Sequence, residues 1–290
     1  MSRLLPKLSP LIHKRNVRSF SSSTIGPYLS LTVSAGPPKE GVSIGEVVLY
    51  VPAKQELLNL ADKAIPEEII SAKWIGASKG WPRRDLRWTK FQTPYDYFPT
   101  SNLTYSKRDQ KFYLPGPGGH HLLSYDLHFD KAGQPEFHEL QFRNFPESFK
   151  YDSEQSEMFP SSCRTERFVE SPSGDERFLV KWYAKGCLAY SSKITYETQR
   201  FMVFREEETT EGRFMCYTDD IGDLCIFVSK SEAFCVPASS VTGLKPNSIY
   251  FVGFGVGIYD LTTRDVSTFR APRGALNHIV DPYWFPPSSS

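Results

Sequence analysis

The amino-acid sequence predicts an all-β protein built as a propeller of small sheets, and three observations predict it. Two distant stretches share one plan. Phe112-Tyr113-Leu114-Pro115-Gly116-Pro117-Gly118 leads to Ser124-Tyr125-Asp126-Leu127, and Ile249-Tyr250-Phe251-Val252-Gly253-Phe254-Gly255 leads to Ile258-Tyr259-Asp260-Leu261. Each reads as a strand, a glycine turn and a strand ending in Tyr-Asp-Leu. The composition combines 15 Tyr, 21 Phe and 5 Trp with 22 Pro and 19 Gly, so β-forming aromatics are cut repeatedly by turn residues. Short strand-like segments then follow one another at regular spacing from residue 86 onward.

The repeat favours a propeller over a sandwich, in which nothing requires one plan to recur in phase. A blade is a small sheet that buries its faces against its neighbours, and ring closure protects its edges. Tyr125 and Tyr259 lie 134 residues apart, which is about three blades at roughly 45–50 residues each. The Tyr is expected to pack between blades. The Asp is expected to accept hydrogen bonds from the backbone of the following turn.

In chain order, Ser43–Val51 reads as a strand. Gln55–Ile70 reads as a helix, because Leu57, Leu58, Ala61, Ala64 and Ile65 recur at helical spacing up to Pro66. Lys73–Trp81 reads as a strand running into a turn. Strands are then expected at Leu86–Thr89, Asn102–Ser106, Lys111–Leu114, His121–Leu127, Glu136–Arg143, Thr165–Glu170 and Arg177–Ala184. Further ones follow at Gln199–Arg205, Gly212–Tyr217, Leu224–Ser229, Ala233–Pro237, Ser248–Phe251, Gly257–Leu261 and Val266–Phe269. Gly, Asp, Asn and Pro clusters between them supply the turns. The expected organisation is a leader at 1–20, a linker at 21–41, the propeller at 42–270 and a tail at 271–290. The tail carries Tyr283, Trp284 and Phe285. Three exposed aromatics would be costly, so it is expected to dock on the ring or on a partner.

The first twenty residues contain Arg3, Lys7, Lys14, Arg15 and Arg18 and no acid; the first acidic residue is Glu40. Leu4, Leu5, Leu8, Leu11 and Ile12 share one side of a helical wheel. An amphipathic, basic, Ser-rich start describes an organellar transit peptide. Arg18-Ser19-Phe20 before Ser21 resembles a mitochondrial processing site, with cleavage between Phe20 and Ser21. The arginines favour the mitochondrion, and the chloroplast is the alternative. Of the 34 basic residues, these five leave with the leader, so 29 remain against 33 acidic and the formal +1 becomes −4. Such a balance exerts no global pull toward nucleic acid. No apolar run is long enough to cross a bilayer, so the mature chain is expected to be soluble.

The block Thr218-Asp219-Asp220-Ile221-Gly222-Asp223-Leu224-Cys225-Ile226-Phe227-Val228, with Phe234-Cys235-Val236-Pro237 and Gly243-Leu244-Lys245-Pro246-Asn247-Ser248-Ile249-Tyr250-Phe251, carries a resemblance. Together with Trp74-Ile75-Gly76-Ala77-Ser78-Lys79-Gly80-Trp81 and Tyr259-Asp260-Leu261 it resembles the plant domain-of-unknown-function-295 family over roughly Val42–Phe269. The resemblance implies a kelch-like β-propeller. Many members are attached to F-boxes; organelle-targeted members lack them, and this chain resembles the latter. Binding to a ubiquitin-ligase adaptor is therefore not expected. Gly80-Trp81 runs almost directly into Leu86-Arg87-Trp88-Thr89, where family members carry further strands. The ring is thus expected to be incomplete, or to have a reduced blade number, near Trp81–Trp88.

No motif in the chain points to a reaction. Cys163, Cys187, Cys216, Cys225 and Cys235 are odd in number and form no C-x-x-C pair, so free packed thiols are expected rather than disulfides or zinc. His120, His121, His128 and His138 cluster in sequence, but adjacent residues on a strand face opposite ways, so a metal site is not expected. Glu206-Glu207-Glu208 and Glu211 read as a solvated loop. Gly253-x-Gly255-x-Gly257 has no helix behind it and reads as a β turn rather than a dinucleotide loop. Between Lys79 and Lys90, Trp81, Arg83, Arg84, Arg87 and Trp88 interleave rings and cations, which could stack bases and neutralise phosphates. No catalytic, cofactor or metal residue is assigned. The sequence thus favours a non-enzymatic organellar scaffold with a protein partner besides the import and processing machinery. The alternatives are an RNA binder using Lys79–Lys90 and an enzyme whose residues converge at the ring axis.

Overall fold

The computed structural model describes residues 28–35, 42–51, 56–66, 102–126, 136–146, 163–188, 194–268 and 283–285. Among them, eighteen strands form four sheets. The first holds β1 (Tyr28–Ala35), β2 (Val42–Val51) and β3 (Glu56–Pro66), with β18 (Tyr283–Phe285) added beside β1. The second is the meander β4 (Thr104–Ser106), β5 (Lys111–Pro115), β6 (His121–Asp126) and β7 (Glu136–Glu139). The third is β9 (Cys163–Glu170), β10 (Arg177–Leu188), β11 (Ile194–Thr209) and β12 (Gly212–Thr218), with β8 (Gln141–Arg143) parallel to β12. The fourth is β13 (Leu224–Val228), β14 (Phe234–Pro237), β15 (Ser248–Gly253), β16 (Gly255–Asp260) and β17 (Val266–Thr268), ordered β14-β13-β15-β16-β17. The four sheets do not close into a barrel; they have the plan of a propeller with few blades, incomplete as the sequence predicts. Trp81–Trp88 lies outside the described residues. Among the described residues no helix is long and apolar enough to cross a membrane.

Three expectations change. The helix expected at Gln55–Ile70 is β3, paired antiparallel to β2 from Val51↔Glu56 to Val42↔Pro66. Pairing overrides the helical spacing, and Pro66 sits at the end of an edge strand, where its missing donor costs no ladder bond. Strands also reach beyond 42–270. β1 lies in the stretch read as a linker, and β18 lies in the tail, antiparallel to β1 with Leu29↔Trp284 in register.

The third change concerns spacing. The two repeat units are β5–β6 and β15–β16, and their registers match. Phe112↔Tyr125 and Lys111↔Asp126 correspond to Ile249↔Tyr259 and Ser248↔Asp260. Yet a single sheet separates them, so the interval spans two steps, not about three. The third sheet consumes extra chain because β10 and β11 are 12 and 16 residues long. The roles expected of the repeat residues hold in the second unit. Tyr259 packs its ring 5.3 Å from Phe201 across the seam to the third sheet. Asp260 Oδ1 accepts from the backbone N–H groups of Thr262 and Thr263 at 2.8 and 3.0 Å. Gly253 and Gly255, with φ of 144° and 90°, form the tight β15–β16 hairpin, so the glycine run is a turn as expected.

Both faces of β10 are buried, and its alternation supplies two different seams. Phe178, Val180 and Trp182 join Phe201, Val203, Ile226, Phe251 and Tyr259 in the core between the third and fourth sheets. Leu179 and Tyr183 face the second sheet, with Tyr113, Leu122, Phe168 and Phe204. Trp284 enters the far face of the fourth sheet, 5.1 Å from Phe227 and 6.4 Å from Tyr250, edge to face, and is 2% exposed. The aromatic tail thus docks on the sheets.

The four sheets meet at the turn after β13. Asn102, just before β4, donates to the carbonyls of Ser229 and Ser231. Arg167 on β9 donates twice to the Ser229 carbonyl, at 3.2 Å each. Ser229 Oγ accepts from Trp284 N–H at 3.4 Å. Tyr105 N–H of β4 donates to Glu232 at 2.9 Å.

Trp284→Ala should lower stability by about 3–5 kcal/mol, the usual cost of emptying a large aromatic site. Deleting 283–285 should lower the thermal midpoint further. A midpoint unchanged by both would mean that β18 does not hold the first sheet to the fourth.

Candidate functional site

The seam between the second and third sheets differs in kind from the aromatic seam on the other side of β10. Arg177 and Lys181 alternate with Leu179 and Tyr183 on this face, and Glu166 lies opposite Lys181 in register on β9. An apolar stripe of Tyr113, Leu122, Phe168, Leu179 and Phe204 separates two charged groups.

At one end, Arg177, whose side chain is 1% exposed, contacts Asp109 and Glu206. Tyr113 donates from its hydroxyl to Asp109 Oδ2 at 2.6 Å. Burial alone would raise the Asp109 carboxyl, but the Tyr113 hydrogen bond and the Arg177 guanidinium outweigh it and hold the group below its ordinary value. Burial, with the hydrogen bond to Asp109, pushes Tyr113 up to about 12. Nearby, Ser106 donates to the Glu170 carboxylate, and the Lys107 N–H reaches the same group at 2.8 Å. Glu206 corrects the reading of the acidic run as a solvated loop. Glu206–Glu208 lie on β11, and Glu206 is drawn into the seam by Arg177. Glu208 and Glu211 meet Arg108 and Arg143 at 3.6 and 2.8 Å.

The other end gathers around Gly118 and Gly119, which have φ of 87° and 64°. The Gly118 N–H donates to Glu166 Oε1 at 2.9 Å, and Arg164 Nε meets the same oxygen at 2.9 Å. A Cβ on Gly118 would lie 3.1 Å from the Arg164 guanidinium and 3.3 Å from the His120 ring. One on Gly119 would lie 2.9 Å from Lys181 Cε and 3.2 Å from Glu166 Cγ. The glycine pair therefore serves the turn and also lets the backbone close over the charged side chains. Burial raises the Glu166 carboxyl against the opposing pull of Arg164, the Gly118 N–H and Lys181. Burial, then Arg164, lowers Lys181 to about 8. Its ammonium lies 4.1 Å from the Phe142 ring centroid and 5.2 Å from that of Phe204. His120 is lowered by burial and by Lys181 and Arg164.

A third polar group lies on β6–β7. Ser124 Oγ is 2.9 Å from His138 Nε2. Glu136 Oε2 is 3.3 Å from that hydroxyl and 3.8 Å from the same ring nitrogen. A serine nucleophile needs a carboxylate on the far nitrogen of its histidine to orient the base. Here serine and carboxylate share one nitrogen, and Lys111 holds Glu136 at 2.9 Å. The arrangement is a cross-strand polar clasp.

Phe20, Ser21, Trp81, Arg83, Arg84, Arg87, Trp88 and His128 lie outside the described residues. Cys216, Cys225 and Cys235 are free and buried, and Cys187 is free and half-buried; burial pushes the Cys225 and Cys235 thiols up to about 12. The Lys181 group was not foreseen. Its signal was present, since a Lys or Glu inside an apolar strand cannot be buried without a purpose-built environment.

Small sheets packed face to face around a common junction, the first of them pairing β1 with β18, have the plan of an incomplete β-propeller. The model of the KIB1-4 beta-propeller family matches residues 16–270, and the chain belongs to that family. No curated protein matches the chain.

The seam should be most stable between the acid and alkaline limbs. Asp109 titrates below its ordinary 3.8, so its contribution is complete above that value and is lost as pH falls through the folded one. Tyr113 titrates at about 12 rather than 10.0, so its contribution is complete below 10.0 and is lost as pH rises toward 12. Asp109→Asn should flatten the acid limb of the unfolding midpoint against pH, and Tyr113→Phe the alkaline limb. Limbs unaltered by either change would show that the pair does not link folding to pH.

Proposed function

We propose that the protein is a non-enzymatic interaction scaffold of mitochondria, delivered by a leader cut between Phe20 and Ser21. The carrying observation is the β7–Leu140–β8 crossover. It passes from the outer edge of the second sheet to that of the third and keeps most of its side chains in solvent. Phe137 on β7 is 51% exposed, and Phe145, just beyond β8, is 41% exposed. Edge strands bearing large apolar side chains are where a partner finds both unpaired backbone and apolar area. Membership of a β-propeller family supports a binding role, since propellers offer broad loop and edge surfaces; fold alone assigns no chemistry.

The address rests on the basic, acid-free first twenty residues. The kelch-like plan and the resemblance to organelle-targeted members lacking an F-box belong to the same reading. The import and processing machinery is then a transient partner, and a ubiquitin-ligase adaptor is not one.

A full-length tagged chain should enter mitochondria, and its mature N-terminus should be Ser21. Cytosolic retention would overturn the address, and a plastid location would favour the chloroplast. Proximity labelling inside the organelle should return a reproducible protein partner, lost in Phe137→Asp with Phe145→Asp while the melting temperature is kept. RNA enrichment instead would transfer the role to the Lys79–Lys90 stretch, and a co-purifying metabolite would point to an enzyme.

A further inference from the structure

We infer that the Gly118–Gly119 end of the charged seam is a binding site for the phosphate group of a small molecule, with Lys181 as its floor and Arg164 and His120 at its mouth. The inference is independent of the scaffold role and of the mitochondrial address.

Three observations carry it. Lys181 is 5% exposed, yet among the described residues its ammonium has neither an ion pair nor a hydrogen bond, and it rests on the Phe142 and Phe204 rings. Three N–H donors are therefore held in a largely dry place without an acceptor, a costly arrangement unless an anion completes it. The local charge is also uneven. Lys181 and Arg164 surround one buried carboxylate, Glu166, whose Oε1 is already taken by Arg164 Nε and the Gly118 N–H. Of the other groups in electrostatic reach of His120, Glu139 is exposed and His121 adds no negative charge. One positive charge is left over. Lastly, the site reaches solvent on one side: Arg164, which also hydrogen-bonds Tyr183, is 36% exposed at its side chain, and His120 is exposed beside the covered ammonium.

Guanidinium and ammonium together suit an oxyanion with several acceptors. The lysine acts as a point charge, and the arginine presents paired donors to two oxygens. The glycine pair matters because a Cβ at either position would press on Arg164, His120 or Lys181 and push these groups from their places. Beside the ammonium stands an aromatic wall, Phe142 with Phe145 at 6.2 Å, which would receive the apolar part of a phosphate monoester.

The test is titration of the full chain with inorganic phosphate and with phenyl phosphate at constant ionic strength, read by calorimetry and by thermal shift against chloride. At least one should bind saturably. Binding of both points to the phosphate group itself, and binding of the ester alone points to a monoester whose organic part uses Phe142. Lys181→Met keeps the stem, removes the buried charge and should fold at least as stably. Arg164→Gln keeps an amide donor for Glu166 at a partly exposed position, and its melting temperature is read beside the affinity to confirm that it folds. Each should weaken binding about tenfold or more, the value of one charge-assisted hydrogen bond. No saturable binding of either probe would overturn the inference, as would affinities unchanged in both variants.

Discussion

The structure depends on one constraint: a four- or five-stranded sheet cannot bury both its faces by itself, so each sheet needs neighbours held at a fixed place. The turn from Ser229 to Glu232 supplies that place. Ser229 is 1% exposed, and its carbonyl accepts from Asn102 of the second sheet and Arg167 of the third. Its hydroxyl accepts from the backbone of Trp284 in the first sheet, and it is itself part of the fourth. Each bond adds little net stability by itself. Their common point is what counts. Three sheets reached by long sequence separations share one short turn, so displacing any of them strands buried polar groups belonging to the others.

From that junction the two faces of the third sheet diverge. Toward the fourth sheet, Trp182 and Phe201 meet Phe251, Phe254 and Tyr259 at ring separations of 4.8 to 5.9 Å. Such a seam is cohesive and depends little on salt. Toward the second sheet, the same strand presents Arg177 and Lys181. A buried ion pair seldom stabilises more than an apolar pair of the same volume, because desolvation offsets the attraction. Its effect is on alternatives: a slip of one residue along β10 would place Arg177 and Lys181 among the aromatics of the other seam. The charges therefore fix the register of β10 more than they strengthen the contact.

Much of this was legible before the structure, and the failures are specific. Tyr-Asp-Leu identified two hairpins whose strand pairs match in register although their turns differ, because a strand repeat is written at period two and survives any fold around it. The blade interval was misjudged because strand length within a sheet is free to vary, and the β10–β11 arms exceed the average. β3 was misread because its apolar residues satisfy a helical stripe as well as a strand, and only the partner β2 decides. The closing strand β18 could not be seen as a strand, since three residues carry no periodicity. The burial of Trp284 nevertheless fits the expectation, drawn from the cost of exposing Tyr283-Trp284-Phe285, that the tail docks. Glu206 was misplaced because a run of acids reads as solvent, whereas Arg177, whose side chain is 1% exposed, lies 29 residues away.

The contrast between the seams also bears on where a ligand can act. An aromatic seam such as Trp182–Phe251 has no spare hydrogen-bonding capacity, since the Trp182 indole N–H is already given to Thr198 at 2.9 Å. The charged seam does have capacity, and it lies at the Lys181 end rather than the Arg177 end. Arg177 meets Asp109 and Glu206, two carboxylates for one guanidinium, and its group is closed. Lys181 meets two phenyl rings and shares its surroundings with a single carboxylate held by Arg164. The same alternation that buries both residues on one face thus completes one charge within the chain and leaves the other to be completed from outside. Because that face joins the second sheet to the third, a ligand there would touch both sheets, and its binding energy would add to the attachment of the second sheet.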